Sequence, residues 1–276
     1  ELAKVFTGLG VGGVMENEWV DEPYFGLDIY VADMTTPMIM YEEWHQPGTK
    51  TLVNGYVIPA GQTGLKDIND AVHQLFLHPN VGPFIGKQLI QRLVTSNPTP
   101  GYISRVAAVF ADNGQGERGD MGAVIKAILM DPEARTCSAL EEDRFGKLRE
   151  PFTRYTHFSK AIQMEQYYGR YWNVAYGFYQ ATNQMPLASR TVFNFFLPDF
   201  QPIGAIADNG LVGPEFQIHN SRTSIEFINR VNDWAVWGYV MDDWEAENPS
   251  VTYNIDELTP LARDPEVLIN RLDVLF

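Results

Sequence analysis

The stretch that decides the fold runs from Asp67 to Pro132 and reads DINDAVHQLFLHPNVGPFIGKQLIQRLVTSNPTPGYISRVAAVFADNGQGERGDMGAVIKAILMDP. Apolar residues recur in it every three or four positions, in four segments separated by polar or proline-containing breaks. Asp67, Thr99 and Asp120 stand where segments begin, and these residue types cap helix N-termini. The pattern predicts four amphipathic helices that bury their apolar faces against each other or against a neighbouring layer.

The flanking segments extend this prediction. At 51–58 the sequence TLVNGYVI places Asn54-Gly55 between two short runs of strand-forming residues, which predicts a small β-hairpin with a type I′ turn. Further helices are predicted from Glu150-Pro151, from Glu215 to about Val240 and from near Pro265. We predict a mainly α fold in two parts: an irregular, glycine-rich segment at 1–66 that carries the hairpin, packed on an irregular multi-helix domain at 67–276.

Charge and composition narrow the classes of function. The 276 residues include 20 Lys and Arg against 35 Asp and Glu, a formal net charge of −15. An excess of acidic residues argues against nucleic-acid binding, which needs clustered cations on the phosphates. No apolar run reaches about 18 residues, so no transmembrane segment is predicted in this chain. A single cysteine, Cys137, excludes an internal disulfide, a thiolate zinc cluster and an iron–sulfur site.

Both ends of the chain interrupt a pattern. Glu1 precedes apolar residues that already belong to an element, and a helical apolar stripe at Leu268, Leu272 and Leu275 reaches the last residue without a cap. We therefore expect a fragment of a longer chain, with both ends truncated and any targeting signal in the missing N-terminal portion.

Four phrases are distinctive in combination: HPNVGPFI at 78–85, GKLREP at 146–151, VFNFFLPDFQPIG at 192–204 and GPEFQI at 213–218. With them the chain resembles the C-terminal half of members of the bacterial family called domain of unknown function 1800. The resemblance implies an exported protein, periplasmic, cell-surface or extracellular. It also implies a protein partner, a sulfatase-like protein of the domain of unknown function 1501 family, because the two are often encoded side by side. It implies no catalytic residues.

His45 and Lys50 are the candidate catalytic residues. A histidine close to carboxylates can act as a general base or a metal ligand, and Glu42 and Glu43 lie near it in sequence. Many family members carry His-Asp, a short spacer and Lys at this place, whereas Gln46 here follows His45. That replacement argues against a local His–carboxylate pair, and a structural hydrogen-bonding role for His45 is the reading we favour.

Other candidates concern binding. Tyr168, Trp172, Tyr176 and Tyr179 share one face at helical spacing and could stack on sugar rings, although such aromatic stripes more often belong to a core. Asp112 and Asp208 each open an Asp-Asn-Gly sequence with oxygen ligands suited to calcium. Turn chemistry explains both without an ion, so we predict no metal. The glycines of 8–13 match G-x-G-x-x-G without the strand and helix that a dinucleotide site requires, so no cofactor is predicted.

Two functions follow as hypotheses. The first, which we favour, is a structural or protein-interaction module in a cell-surface or secreted assembly, since no complete catalytic motif occurs along the chain. The alternative is a hydrolase or another enzyme acting on an extracellular glycan or polymer, with His45 and Lys50 near its site and acidic residues brought to them by the fold.

Overall fold

The computed structural model describes residues 1–16, 20–136, 142–166, 176–189, 191–192, 194–237, 239–240, 251–252 and 254–275, with the backbone alone at 166, 176, 234, 235, 237, 239, 240, 251 and 252. The fold is mainly α and includes the small hairpin, as predicted; the described residues also form a second two-stranded pair and a three-stranded sheet that the sequence did not predict. The chain divides into two compact units, Glu1–Ile85 and Gly86–Phe276. The division at residue 66 stays a prediction. Within the described residues, no helix has the length and apolar character needed to cross a membrane.

The helices and strands follow one another along both units. The elements of the first unit are α1 (Leu2–Val5), β1 (Leu9–Gly10), β2 (Ile39–Met40), a 3₁₀ turn (Glu42–Trp44), β3 (Lys50–Thr51), a second 3₁₀ turn (Val53–Gly55), β4 (Val57–Ile58) and α2 (Gly64–Leu77). Helix α3 (Val81–Leu93) contains the boundary between the units. The second unit continues with α4 (Pro100–Ala111), α5 (Met121–Met130), α6 (Pro132–Arg135), α7 (Pro151–Ala161), β5 (Glu165–Gln166), α8 (Tyr176–Thr182), α9 (Ala205–Asp208), a 3₁₀ turn (Pro214–Gln217), α10 (Ser221–Trp237), β6 (Tyr239–Val240), β7 (Val251–Thr252), a 3₁₀ turn (Thr259–Arg263) and α11 (Pro265–Leu275).

The predicted hairpin is confirmed. Strands β3 and β4 pair antiparallel, with Lys50 opposite Ile58 and Thr51 opposite Val57. Asn54 and Gly55 both adopt positive φ, 59° and 73°, which is the backbone that a type I′ turn needs. Ile58 packs with Val5 and Ala71 in a core that joins α1, the hairpin and α2.

Helix α2 begins one turn earlier than the sequence indicated. Thr63 is the N-cap, and Asp67 lies inside the helix on its buried side. The side chain of Thr63 makes no capping bond, and the carboxylate of Glu42 instead accepts from the Gly64 N–H at 3.0 Å. The predicted cap at Asp67 is therefore wrong. The helix starts one turn earlier, where the Glu42 carboxylate from the first 3₁₀ turn satisfies the Gly64 N–H.

The glycines at 8–13 serve close packing. Strand β1 pairs antiparallel with β2, and a Cβ at Gly10 would lie 2.9 Å from the Tyr41 ring. At Gly13 a Cβ would lie 2.8 Å from Thr36. These positions exclude larger side chains because residues 36–41 cross directly over them.

In the second unit, α4 and α5 pack together with the caps that the sequence predicted. Thr99 Oγ1 accepts from the Tyr102 N–H at 3.0 Å, and Asp120 Oδ1 accepts from the Ala123 N–H at the same distance. The Tyr102 hydroxyl donates to the Ile128 carbonyl at 2.6 Å, which links the two helices. A separate core cluster contains Tyr155, Ile162, Met164 and Phe178. Strands β5, β7 and β6 form a three-stranded antiparallel sheet.

Candidate functional site

Three ionisable side chains meet inside the first unit. His45 follows the 3₁₀ turn at Glu42–Trp44, Lys50 opens strand β3, and Asp67 comes from the first turns of α2. Their exposed fractions are 7%, 1% and 1%. The hairpin and the helix that pack in the shared core bring these side chains together from positions up to 22 residues apart.

The ammonium of Lys50 is fully coordinated by protein oxygens. Its Nζ donates to Asp67 Oδ2 at 2.5 Å, to the Gln46 carbonyl at 2.5 Å and to the Gly48 carbonyl at 3.1 Å. An ammonium has three N–H groups, so these three acceptors use them all. Lys50 thus ties the loop between His45 and β3 to helix α2 in its charged form.

Both ring nitrogens of His45 are also engaged. Nδ1 lies 2.8 Å from the Thr7 carbonyl, which can only accept, so Nδ1 carries a hydrogen and donates it. Nε2 lies 3.1 Å from Asp67 Oδ2 and 3.4 Å from Lys50 Nζ. Because the three N–H groups of Lys50 are directed at oxygens, the hydrogen bond that Nε2 can complete is a donation to Asp67 Oδ2.

Asp67 is held as a carboxylate. Burial alone raises the pKa of its carboxyl, but hydrogen bonds from Lys50, Gln62 and His45 together outweigh burial and bring that pKa below its ordinary value. Gln62 Nε2 donates to Asp67 Oδ1 at 2.9 Å, so both carboxylate oxygens have partners. Two opposite charges that are nearly free of solvent contact form a pair whose members depend on each other.

The sequence did not identify Asp67 as the carboxylate partner of His45. The replacement of aspartate by Gln46 argued only against a carboxylate partner in the local sequence, and the fold brings a carboxylate to His45 from Asp67. The spacing of the sequence contained a signal for this role. Asp67 lies three residues after Gly64 and four before Ala71, so it shares one face of α2 with these two buried residues. An acidic residue on a buried stripe requires a cation nearby, and Lys50 is the one that the hairpin presents.

The cluster as it stands offers little to a substrate. A general base needs an accessible lone pair within hydrogen-bond reach of the proton that it takes. His45 Nδ1 is a donor to backbone, Nε2 faces two buried partners, and Lys50 has no N–H left. The arrangement ties Thr7, the loop at 45–50 and helix α2 to one another. The catalytic roles of His45 and Lys50 stay predictions.

The residue next to the buried His45, Trp44, is largely exposed to solvent. Trp44 is 58% exposed and stacks on the Phe25 ring with centroids 5.2 Å apart and an interplanar angle of 15°. Phe25 also meets Tyr41 edge to face at 5.8 Å, and the Tyr41 hydroxyl donates to the Val11 carbonyl at 2.8 Å. Phe25, Tyr41 and Trp44 form a partly solvent-facing aromatic surface, which we call the aromatic platform.

Three of the four phrases that carry the family resemblance converge in the second unit. Lys147 Nζ, from 146–151, lies 3.3 Å from the buried Glu215 Oε1, from 213–218. Gln217 Oε1 accepts from the Leu197 N–H at 2.7 Å, which joins 213–218 to 192–204. The guanidinium of Arg92 lies 4.2 Å from the centroid of the Phe196 ring. These contacts bring three separate segments of the chain into one junction.

A cavity of about 550 Å³ adjoins this junction. Its lining combines aromatic rings with amides and a hydroxyl: Tyr179, Phe195, Asn183, Asn194, Gln217 and Thr191 are among them. Of the aromatic stripe predicted from sequence, Tyr179 lies in this lining and Tyr176 opens helix α8, where its backbone alone is described. Tyr168 and Trp172 lie outside the described residues.

The calcium candidates take part in local structure. Asp112 Oδ1 accepts from the N–H groups of Gly114 and Gly116 at 2.8 and 2.9 Å, and these bonds lower the pKa of its carboxyl. Asp208 ends the short helix α9. Across the part of the chain that the structure describes, no group of three or more His, Cys, Asp or Glu side chains is arranged to hold a metal ion.

Fold and sites together define a mainly helical protein with a buried ionic cluster in one unit and an aromatic and amide-lined cavity in the other. The chain belongs to the family described as Protein of unknown function (DUF1800), whose model matches residues 1–273. The family predicted from sequence is thereby confirmed. No curated protein and no solved structure matches the chain.

Proposed function

We propose that this chain is an interaction module of an exported bacterial protein, and that it binds its partner through the aromatic platform. One observation carries the proposal: the chain buries His45 among protein partners and turns the adjacent Trp44 outward, stacked on Phe25. Trp and Tyr are concentrated at the centres of protein interfaces, where they supply large contact areas at a small cost in side-chain entropy.

The partner that the family resemblance suggests is a sulfatase-like protein of the domain of unknown function 1501 family. The two proteins would meet outside the cytoplasm, in the periplasm, at the cell surface or in the medium. Fractionation of the native source tests the compartment separately, since recovery of the full-length protein only from the cytoplasm would refute export.

The binding experiment measures the affinity of the purified protein for its neighbouring sulfatase-like protein. We expect Trp44→Ala to weaken binding about tenfold or more, because an interface ring is lost. Ile203→Ala removes an apolar side chain of the second unit that is still more exposed than Trp44, and it serves as the control. Absence of binding by the wild-type protein, or equal binding by wild type and Trp44→Ala, would refute the platform as the interface.

A second candidate function keeps the enzyme hypothesis. His45 Nε2 lies 3.1 Å from Asp67 Oδ2 with Lys50 beside it, which is the constellation that the hypothesis required of the fold. Hydrolysis of extracellular polysaccharides by the wild-type protein, abolished in a folded Asp67→Asn variant, would support it. Turnover that persists in that variant would place any active site elsewhere.

A further inference from the structure

The cavity of about 550 Å³ in the second unit is lined, among the described residues, by uncharged side chains. Among the described residues that line it, none is an Asp, Glu, Lys, Arg or His, although the whole chain has a net charge of −15. Its volume of about 550 Å³ lies within the roughly 300–1,000 Å³ of small-molecule sites. The cavity therefore suits an uncharged ligand of modest size.

The lining also disfavours a purely apolar ligand. Asn183, Asn194 and Gln217 present amides, and each amide offers two N–H donors and an oxygen acceptor. An apolar occupant would remove these groups from water without replacing their hydrogen bonds, which costs free energy for each of them. The described lining residues include no Lys or Arg to bind a phosphate or carboxylate, and the nearby Arg222 already donates to Asn183 Oδ1 and to the Gln180 carbonyl.

The aromatic rings complete the match. Tyr179 and Phe195 line the same cavity, as does the buried Phe196, whose ring contacts the Arg92 guanidinium. The face of an aromatic ring is electron-rich and attracts weakly positive C–H groups. We infer that this cavity binds a neutral saccharide, whose hydroxyls pair with the amides while a C–H-bearing ring face stacks on Tyr179 or Phe195.

One lining side chain is oriented in advance. Gln217 is exposed, and its Oε1 accepts from the Leu197 N–H at 2.7 Å. This bond fixes the amide and leaves its NH₂ as the group for a ligand oxygen. Asn183 is held in the same manner, since its Oδ1 accepts from Arg222 at 3.0 Å. A site with two amides already positioned loses less side-chain entropy when a hydroxyl binds.

The test titrates cellobiose, maltose and diacetylchitobiose into the purified protein and follows binding by saturation-transfer NMR and calorimetry. Glucose phosphate and a neutral Gly-Ser peptide are the comparators. We expect at least one disaccharide to bind at millimolar concentration or below, and the charged sugar to bind more weakly. No binding of any of the three disaccharides, or a preference for the peptide or the phosphate, would overturn the inference.

Two variants locate the site. Tyr179→Ala removes a ring and should weaken disaccharide binding about tenfold. Gln217→Glu keeps the acceptor for the Leu197 N–H, removes the donor and introduces a charge, so it should weaken binding without disturbing the fold. Tyr30→Ala, which removes a ring that is 84% exposed in the first unit, is the control. Disaccharide binding that is unchanged in Gln217→Glu would show that this cavity is not the site. The result is independent of the partner binding proposed for the aromatic platform.

Discussion

Each unit of the molecule neutralises a buried aspartate with a cation, and the two pairs differ in how far they are removed from water. In the first unit Asp67 meets Lys50, and both side chains are 1% exposed. In the second unit Asp131 is 5% exposed, but its partner Arg105 is 52% exposed and reaches it with two bonds of 2.7 Å. Arg105 can remain hydrated when the pair opens, whereas Lys50 cannot. The same chemical pairing therefore serves as a closed linkage in one unit and as an open, bidentate clamp in the other.

The largest effect is expected when the closed pair is broken. Lys50→Met removes the only ammonium that Asp67 contacts among the described residues and leaves a carboxylate in the interior. The loss should be about 3–5 kcal/mol of the free energy of unfolding, the usual cost of an uncompensated buried charge. Urea unfolding at neutral pH measures it.

The matched control is Lys66→Met, whose Lys66–Asp70 pair lies on the surface of the same helix and should contribute little. A double replacement, Lys50→Met with Asp67→Leu, removes both charges and should recover part of the loss, since an apolar pair of similar volume can substitute for a buried ion pair. If Lys50→Met and Lys66→Met cost the same, the distinction between closed and exposed pairs is wrong for this molecule.

The second prediction concerns the pH dependence of the free energy of unfolding. The pKa values of the Asp67 and Asp131 carboxyls both lie below the ordinary value of 3.8. For Asp131 the hydrogen bonds from Arg105 are the largest cause, and burial opposes them. A carboxyl whose pKa is lower in the folded state stabilises the fold above its unfolded pKa, and this stabilisation is lost as the pH falls from there through the folded pKa.

The stability of the Lys50→Met variant at different pH values tests whether Asp67 is charged in the folded state. Without Lys50, burial becomes the dominant influence and raises the pKa of Asp67, so protonation then favours the folded state. The stability difference between wild type and Lys50→Met should therefore shrink as the pH falls from neutral towards about 4. A difference that is constant with pH, measured by urea unfolding in a series of buffers, would contradict a charged Asp67 in the fold.

Breaking the open pair of Arg105 and Asp131 should lower the free energy of unfolding by a smaller amount. Arg105→Met removes the bidentate bonds to Asp131, but the Glu133 N–H still donates to Asp131 Oδ1 at 2.9 Å. We expect a loss of about 1.5–3 kcal/mol, the range for hydrogen bonds to a charged group. Urea unfolding of this variant beside Lys50→Met ranks the two pairs directly, and a larger loss for Arg105→Met would reverse the comparison.

How much of this was predictable depends on the range of the interactions. Thr99 and Asp120 cap their own helices, and Asn54-Gly55 forms its own turn, so local sequence identified these features correctly. The start of α2 was missed because Glu42, from another element, satisfies it. The partner of His45 was missed for the same reason, since the carboxylate comes from a helix 22 residues further along.

Periodicity has a related limit. It identifies one face of a helix but not how completely a neighbour covers that face. Val72 follows Ile68 by four residues and so fits the apolar spacing that predicted α2, yet it is 52% exposed, while Ala71 beside it is fully buried. The cavity of the second unit could not be predicted at all, because its described lining residues come from three separate segments, at 179 and 183, at 191 and 194–197, and at 217–218, which are adjacent only after folding.

The smallest predicted effect contrasts the threonine caps of the two units. Thr99 Oγ1 accepts from the Tyr102 N–H and donates to Glu133, whereas the Thr63 side chain makes no capping bond. Thr99→Ala should therefore lower the free energy of unfolding by about 1–2 kcal/mol. Thr63→Ala should change it by less than about 0.5 kcal/mol, because Glu42 already accepts from the Gly64 N–H. Equal losses in thermal and urea unfolding would mean that Glu42 does not replace the missing cap, and Glu42→Gln, which retains one acceptor oxygen, would then show whether its charge contributes to the start of α2.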